Sequence, residues 1–548
     1  MEPIFTDKQL NNMSREDLIS LMKIVQEQTK KKDTEIQLLK DKQKELEFLN
    51  AMLSDRLTLA QRKQFGASSE KYAEDYEQMN LFNEAEANAD AETEELFEEI
   101  RSSSYKRKKR KGKKEEDLSN FETVETRTYK LEGEARYCPE CGKKYSVVTK
   151  ETVKRLRFIP AKFEVEEEIT YVYSCPECGS MKRPEKEPSL IRGSIATPSL
   201  VAGIMNAKYV NGMPLARQER EFARYDLDLS TKTMANWIIN CADRHLKPLY
   251  QLMKEELLES RYIHCDESRI QVLGEPDQKG TTQNWMWVYL TDEFSGSPQM
   301  VLFDYERTRA GYHPVNFLGD RFHGYLTCDG YQAYHSLGEG IIVSGCLTHA
   351  RRRFDAALTA LKKDFTKEQL KETIAYQAMS RIGILYKTEE MIHNKTPEEK
   401  YEERQKQSRP VMDALFEWLH TMEDSVDRSS LIGDAILYTL NQEAYLKRYL
   451  EDGHLSIDNN SAERALKNFA VGRRNWLFAK SVRGAGASAL VYSITETALL
   501  NHLKSYAYLT YILDELRKMG AFPKEEELKK LLPWSEDLPE YCRTKLKK

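Results

Sequence analysis

The sequence predicts a multidomain chain of the mixed α+β class, and three of its patterns carry that prediction. A heptad-like repeat lies within residues 14–63, two identical Cys-Pro-Glu-Cys-Gly segments follow between residues 138 and 179, and strand-like segments concentrate between residues 262 and 350. A chain of 548 residues is also too long for a single hydrophobic core. We therefore expect a coiled coil, a zinc-binding domain, a small helical unit and an α/β domain, in that order.

Charge is segregated along the chain although the net charge is only −5. Residues 72–100 hold eleven acidic side chains and no basic one, whereas residues 106–114 are basic at every position but one. Such runs are typical of a solvated linker or of a nucleic-acid contact, and both interpretations stay open. Because the sequence has no run of 18 apolar residues and no signal-peptide core, we expect a cytoplasmic protein with no membrane partner.

The N-terminal repeat predicts a coiled coil over residues 14–63. Ser14 to Asp17 is typical of a capping box, and an apolar 4,3 repeat then runs from Leu18 to Leu57, with eight of twelve seam positions apolar. Self-association is the favoured interpretation, and a helix that folds back on its own domain is the alternative. Residues 64–120 then read as a charged linker.

Four cysteines predict a zinc-binding domain over residues 121–183. Two C-x2-C pairs separated by 33 residues match two tight turns that close one tetrahedral site of four thiolates. Such a closed site binds one structural Zn²⁺ and takes no part in catalysis. The predicted ligands are Cys138, Cys141, Cys175 and Cys178.

Three short helices predict a helix-turn-helix-like unit over residues 190–250. Helical patterns over 198–209 and 214–225 precede a third helix that follows Ser230. The third helix would present Lys232 and Asn236 to a DNA groove, although a plain helical connector fits the spacing equally well.

Residues 260–500 predict a ribonuclease-H-like α/β domain. Segments 262–273, 284–291 and 299–305 read as consecutive antiparallel strands, and 325–328 and 340–346 then alternate with helices near 310–318 and after 348. In that fold, a carboxylate in the middle of the first strand and one at the end of the fourth lie side by side. Asp266 and Asp329 occupy these two positions.

Glu463 supplies the third predicted carboxylate, in the first turn of a helix that begins near residue 460. Three clustered carboxylates are what two hard divalent cations require, so we predict two Mg²⁺ ions, with Mn²⁺ as the alternative. Asn460 to Glu463 also fits a capping box in which Glu463 only returns a hydrogen bond to the backbone, and Asp458 and Glu496 are alternative third ligands. His349 could lie near this cluster or pack in the core.

Residues 354–456 have a helical pattern and predict an insertion that forms a lobe over the site. Its two apolar stripes are typical of core positions. They comprise Ile374, Ala378, Ile382, Leu385 and Val411, Leu415, Trp418, Leu419, Met422.

Basic and aromatic residues after Glu463 predict a DNA contact. Arginine and lysine hold phosphates, and an aromatic ring stacks on an unpaired base. Burial of the tryptophan in a core is the alternative, and residues 501–548 read as a helical tail. The predicted DNA-contacting residues here are Arg464, Lys467, Arg473, Arg474 and Trp476.

The chain resembles the transposases of the insertion sequence 66 family along nearly its whole length. The motifs that carry the resemblance are Phe65-Gly66 with Ser69-Glu70-Lys71, the two Cys-Pro-Glu-Cys-Gly segments, Lys208-Tyr209 with Pro214-Leu215, Asp266-Glu267, Cys328-Asp329-Gly330-Tyr331, His349-Ala350-Arg351-Arg352, Asp458-Asn459-Asn460 with Glu463-Arg464, and Arg473 to Phe478. One departure is Leu347, where that family is expected to have an aromatic residue.

The resemblance implies a DDE-type transposase in which Asp266, Asp329 and Glu463 bind the catalytic metals. It would cleave at terminal inverted repeats, free 3′-hydroxyls and join them to target DNA, as a homodimer or larger assembly near the nucleoid, with accessory proteins of the same element. Two alternatives remain at this stage: a nuclease that only hydrolyses, and a DNA-binding regulator without chemistry. The intact acidic triad argues against the regulator, since clustered carboxylates repel one another without metal.

Overall fold

The structure is a computed structural model that describes residues 162–174, 176–178, 181–277, 282–338, 340–520 and 522–545, together with 133, 139–140 and 143–144. The predicted coiled coil, the charged linker and three of the four zinc-binding cysteines lie outside these residues. The described chain divides into two compact units. The larger contains residues 188–215 and 231–538, and the smaller contains the described residues up to 187 with 216–230 and 539–545.

The three short helices predicted after residue 198 are present. They are α1 (Pro198–Tyr209), α2 (Leu215–Ala223) and α3 (Thr231–Cys241). Helix α1 begins where predicted because Pro198 suits the first turn and the Thr197 side chain accepts a hydrogen bond from the Leu200 N–H. A π-helical turn over Ala242–Leu246 joins α3 to α4 (Lys247–Glu259).

Within the smaller unit, a short antiparallel pair joins β1 (Tyr173–Ser174) to β2 (Met181–Lys182). Residues 176–178 of the second Cys-Pro-Glu-Cys-Gly segment form a turn between these strands, and Cys178 is exposed there. Phe163 packs edge-to-face on Phe222, with 5.2 Å between ring centroids.

A five-stranded mixed sheet forms the centre of the larger unit, and its strands lie within two residues of the predicted segments at each end. The strands are β3 (Tyr262–Gln271), β4 (Gln283–Thr291), β5 (Met300–Glu306), β6 (Gly324–Thr327) and β7 (Ile341–Ser344). Their order is β5-β4-β3-β6-β7, with β3, β4 and β5 antiparallel and β3, β6 and β7 parallel.

Helices cover the sheet and its edge. Helix α5 (Tyr312–Leu318) precedes β6, and α6 (Leu347–Leu361) follows β7. The edge strand β5 is covered by a later helix, where the Ser493 hydroxyl accepts from the Phe303 N–H at 2.8 Å and the Thr497 hydroxyl accepts from the Val301 N–H at 3.0 Å. These side chains satisfy edge N–H groups that would otherwise be open to another strand.

The predicted helical insertion is present and packs against α6. Its helices are α7 (Lys367–Glu372), α8 (Ile374–Ile392), α9 (Pro397–Glu403), α10 (Arg409–Glu423), α11 (Leu431–Asn441) and α12 (Glu443–Leu446). All nine residues of the two predicted stripes are core: six are buried and Val411, Trp418 and Met422 pack against them half-buried. Leu347 is also buried in this core.

Buried Arg404 ties the insertion to the chain that leads into the predicted site. Its guanidinium pairs with Glu389 and donates to the carbonyl oxygens of Tyr449, Asp452 and Leu455 at 2.8–2.9 Å. A planar cation with five donors can satisfy all these acceptors at once, whereas lysine cannot.

Four helices complete the larger unit: α13 (Asn460–Trp476), α14 (Val482–Leu500), α15 (Ser505–Met519) and α16 (Glu525–Lys529). Helix α13 packs on β3, α14 on β5 and α15 on α1. None of the helices in the described ranges combines the length and apolar character needed to cross a bilayer.

Candidate active site

Asp266 and Asp329 each lie two positions beyond a pair of the parallel ladder. His264 on β3 pairs with Thr327 on β6, the last residue of that strand. The Glu267 N–H donates to Asp266 Oδ1 at 2.8 Å. Burial, followed by the negative charges of Glu267 and Asp329, nevertheless raises the pKa of Asp266 well above its usual value.

Glu463 joins this pair from the first turn of α13. Its negative charge also contributes to the raised pKa of Asp266. Both carboxylate oxygens of Glu463 accept hydrogen bonds from Arg352, with 2.9 Å between Nη1 and Oε1. His349 Nε2 lies 4.0 Å from Glu463 Oε1, so His349 is beside the acidic cluster.

The capping-box interpretation of Glu463 does not match the hydrogen bonds. The Asn460 N–H donates to Asp458 Oδ1 at 3.1 Å, and the Asn460 amide donates to Asp458 Oδ2 at 2.7 Å. The carboxylate of Glu463 is instead turned toward Arg352. Asp458 therefore organises the start of α13, and Glu463 is left for another role.

Glu496, the other alternative ligand, is buried within α14. The Asn468 amide donates to Glu496 Oε1 at 2.9 Å. Burial raises the pKa of Glu496 to about 7. The negative charge of Glu463 contributes to the raised pKa of Asp266, which favours Glu463 as the third member of the cluster.

Asn459 fixes the start of α13 against the strand that carries Asp266. Its amide donates to the Cys265 carbonyl at 2.8 Å, its Oδ1 lies 2.9 Å from His264 Nδ1, and its N–H donates to the Cys346 sulfur at 3.1 Å. These contacts link β3, the start of α6 and α13, so Asp266 and Glu463 are held on connected elements.

A buried ion pair lies directly behind these contacts. His264 Nε2 is 3.1 Å from Asp292 Oδ2, and the Ser456 hydroxyl donates to the same carboxylate oxygen at 3.0 Å. Burial alone would lower the pKa of His264, but the charge of Asp292 raises it. Burial would raise the pKa of Asp292, but His264 lowers it. Each partner therefore favours the charged form of the other, and the pair holds β3 and β4 to the loop before α13.

Arg309 provides positive charge on the other side of the cluster. It forms an ion pair with Glu267, and its Nη2 lies 3.7 Å from Asp329 Oδ2. Its guanidinium lies 3.8 Å from the ring centroid of Tyr331 and 5.1 Å from that of Trp285. Burial and the charge of Asp329 raise the pKa of Glu267, and Arg309 opposes that shift.

The chemistry of the donor set fits divalent magnesium or manganese. Carboxylate oxygens are the ligands that these hard cations prefer. Together with burial, neighbouring carboxylates raise the pKa of Asp266, and a bound cation would neutralise part of their negative charge. In the described part of the chain, no three His, Cys, Asp or Glu side chains are already grouped as a metal site. Arginines 309 and 352 lie against the carboxylates instead.

The predicted DNA-contacting residues on α3 lie on one exposed face. Lys232 and Asn236 are both exposed and one turn apart, opposite the buried Trp237 and Ile238. This face is polar, as a recognition helix requires, and its role stays a prediction.

The predicted DNA-contacting residues on α13 fall into two groups. Arg464 and Lys467 are exposed and Arg474 is half-buried. Arg473 instead anchors the helix, since its Nη1 lies 3.2 Å from the Ser268 hydroxyl and also binds the Arg269 carbonyl.

Trp476 packs inward against two residues of α1. It meets Tyr209 edge-to-face with centroids 6.4 Å apart, and Lys208 lies 5.2 Å from its ring centroid. Gly472 lies beneath the ring, where an added Cβ would come within 2.3 Å of Trp476. The half-buried ring is thus already packed against neighbouring side chains within the protein.

Sequence reasoning missed several residues that shape this site: Arg309, Arg352, Glu267, Asn459 and the His264–Asp292 pair. A usable signal existed for Arg352, because His349 and Arg352 are three apart and lie on one face of a helix. Arg309 had no comparable signal, since it reaches Glu267 from a loop 42 residues away.

Comparisons with known proteins match three segments of the chain to family models. Residues 193–487 match the family described as Transposase IS66 family. Residues 135–179 match the zinc-finger binding domain of transposase IS66, and residues 52–120 match Transposase C of IS166 homeodomain.

Two curated proteins of Sinorhizobium fredii are similar over most of their length. The uncharacterized protein y4hP is 30% identical over 412 residues, which cover 72% of this chain and 73% of that protein. The uncharacterized protein y4jD is 29% identical over 418 residues, which cover 74% and 79% respectively.

Proposed function

The chain belongs to the IS66 transposase family and contains its zinc-finger domain, and from this premise we propose that it cleaves and joins DNA at the ends of an insertion sequence. Membership makes it a transposase that acts on nucleic acid and binds DNA. The finer proposal is that it binds terminal inverted repeats, frees 3′-hydroxyls and transfers them to target DNA. Asp266, Asp329 and Glu463 would be the catalytic carboxylates.

One observation carries this proposal: in addition to burial, the charges of Asp329, which follows the neighbouring parallel strand, and of Glu463, on a helix, contribute to the raised pKa of Asp266. Further support comes from the order β5-β4-β3-β6-β7, with the first three strands antiparallel. This is the arrangement of a ribonuclease-H-like core, in which Asp266 would be central on the first strand and Asp329 at the end of the fourth.

Asp266, Asp329 and Glu463 would hold two Mg²⁺ ions, whose contribution would be to make a water, and later the freed 3′-hydroxyl, more nucleophilic toward phosphorus. The protein's own residues prepare that site. Asn459 and the His264–Asp292 pair hold β3 and α13 in register, so that Asp266 and Glu463 face the same volume. Arg309 and Arg352 balance the negative charge, and Arg352 must release Glu463 for it to act as a ligand.

The remaining segments have proposed roles in assembly and recognition. The zinc-binding domain (121–183), the helix-turn-helix-like unit (190–250) and the basic part of the linker (64–120) would recognise element ends. The coiled coil (14–63) would pair protomers so that both ends react together, with accessory proteins of the same element assisting. These domain boundaries, and that of the catalytic domain (260–500, insertion 354–456), are part of the proposal.

A joining assay separates this function from simple hydrolysis. The purified chain is incubated with pre-cleaved element ends, supercoiled plasmid and Mg²⁺, and covalent end-to-plasmid products are counted. A transposase yields joined products, whereas a nuclease yields only shortened or nicked DNA. A regulator without chemistry would bind the ends and leave all strands unchanged.

A further inference from the structure

We propose that Leu477 and Phe478 form an apolar wedge that inserts into a base step of the duplex DNA bound along α13. This inference rests on the proposed function, because it takes DNA to be the ligand. Leu477 is 66% exposed and Phe478 is 43% exposed, directly after Trp476 has turned inward. The wedge, not Trp476, is therefore the apolar group that this motif offers to DNA.

The backbone at the wedge is held in an unfavourable conformation. Leu477 has φ +64° and ψ −44°, and the Phe478 N–H donates to the Trp476 carbonyl at 2.8 Å. This is the positive-φ form of the γ-turn, which is rare and strained for a residue with a side chain. Glycine would adopt this conformation with less strain. Leucine therefore occupies a position at which its side chain makes folding less favourable.

The turn is also fixed rigidly at its base. The Leu477 N–H donates to the Arg473 carbonyl at 2.7 Å, and the Ala479 N–H donates to the Gln271 carbonyl at 2.8 Å. The Leu273 N–H returns a hydrogen bond to the Ala479 carbonyl at 3.0 Å. A wedge needs such a support, because side chains that unstack bases must be held in place beforehand.

Charge complementarity favours DNA as the occupant. Residues 473–483 carry four cationic side chains and no acidic one, and two of these cations, Arg473 and Arg483, are also bound within the protein. Arg464, Lys467 and Arg474 recur along one side of α13 between Glu463 and the wedge. Apolar side chains among phosphate-binding cations are how proteins kink DNA by partly unstacking a base step.

The length of α13 places the wedge relative to the cleaved bond. Fourteen residues separate Glu463 from Leu477. At 1.5 Å per residue this is about 21 Å, or about six base pairs of duplex DNA. The unstacked step is therefore expected about six base pairs from the cleaved end.

Fluorescence of 2-aminopurine tests the wedge. The full chain is mixed with duplexes of the element end that carry 2-aminopurine at successive positions from three to twelve base pairs from the cleaved bond. We expect a several-fold rise in fluorescence confined to one step near position six.

Leu477→Gly and Leu477→Asn, both suited to positive φ, should abolish the rise, weaken binding about tenfold and leave the melting temperature unchanged or higher. Phe478→Ala should act in the same direction, and Phe522→Ala, at a phenylalanine that is 94% exposed elsewhere, should have no effect.

Each other outcome overturns the wedge in a distinguishable way. If the parent binds and joins ends with no localised rise, the wedge is wrong and the proposed function stands. If the Leu477 variants change the mass of the protein in sedimentation without DNA, a second copy of the chain covers this surface instead. If the parent neither binds nor joins any end duplex, the wedge and the proposed function fail together.

Discussion

Arg352 donates to both carboxylate oxygens of Glu463, from a helix that lies 111 positions earlier in the sequence. The pair is only half-buried, so its contribution to folding is small, about 1 kcal/mol or less. Its consequence lies in the charge of the site: an arginine holds the carboxylate that the proposed function assigns to metal. Arginine and metal therefore compete for Glu463.

Removal of Arg352 should strengthen divalent metal binding. We expect Arg352→Ala to lower, several-fold, the Mg²⁺ concentration at which the melting temperature is half-shifted, because a competing cation is lost. Thermal unfolding across a Mg²⁺ titration measures this. Arg351→Ala, at an exposed neighbour on the same helix, is the control. An unchanged midpoint in Arg352→Ala would show that Glu463 does not bind the ion.

Gly330 permits the insertion to approach the loop that carries Asp329. A Cβ on Gly330 would lie 2.6 Å from the Tyr438 hydroxyl and 3.0 Å from the Gln442 side chain. We expect Gly330→Ala to cost about 1–3 kcal/mol and to reduce joining, since overpacking displaces Asp329. Tyr438→Phe should restore part of both losses by removing the hydroxyl. Gly383→Ala, in the open middle of α8, should instead stabilise the protein by about 0.5–1 kcal/mol. If urea unfolding shows the same change in stability for both alanine variants, this explanation is wrong.

Arg404 should be among the most sensitive positions for stability. Arg404→Ala leaves Glu389 and three carbonyl groups without their partner, so we expect a loss of about 3–5 kcal/mol. Arg404→Lys should lose nearly as much, because one ammonium cannot reach all these acceptors. Arg409→Ala, at an exposed arginine nearby, should stay within about 0.5 kcal/mol. The urea midpoints of the three variants measure these losses. If Arg404→Ala loses little stability, the hydrogen bonds of the Arg404 guanidinium are unimportant for stability.

Glu496 should make the protein less stable as the pH rises. The unfolded glutamate titrates at about 4.3, whereas burial raises the pKa in the folded protein to about 7. Between these values the folded state binds more protons, so the free energy of unfolding falls with rising pH, by about 4 kcal/mol at most. Glu496→Gln should remove this fall and leave joining intact. Chemical unfolding at pH 5 and pH 8 measures it, with the exposed Glu255→Gln as control. If the difference between the two pH values persists in Glu496→Gln, another group causes it.

The sheet could be predicted because its signals are local. Apolar runs bounded by turns indicate the strand positions, and the structure has Asp266 on β3 and Asp329 two residues after the end of β6, while their catalytic role stays a prediction. The predicted end of β3 is two residues too late because residues 272 and 273 pair with residue 479 and not with β4. That partner lies some 200 positions away and has no local signature.

The surroundings of the carboxylates could not be predicted, because each contact depends on tertiary register. Asn459 binds His264 across 195 positions, and Arg352 binds Glu463 across 111. The orientation of Trp476 is a further example: its neighbours suggested a free ring, but Gly472 and Tyr209 provide a place for it within the protein. Composition and spacing cannot distinguish these two outcomes.

The most direct test of the account is strand joining by Glu463→Gln, measured on pre-cleaved element ends with plasmid and Mg²⁺. A neutral amide is a poor ligand for a hard cation. We predict that Glu463→Gln, like Asp266→Asn and Asp329→Asn, folds with a near-parental melting temperature, binds the ends and loses joining by orders of magnitude. Glu496→Gln, the same change at a buried carboxylate on the next helix, should join at the parental rate. Joining by Glu463→Gln at near the parental rate would contradict the account and direct attention to Asp458.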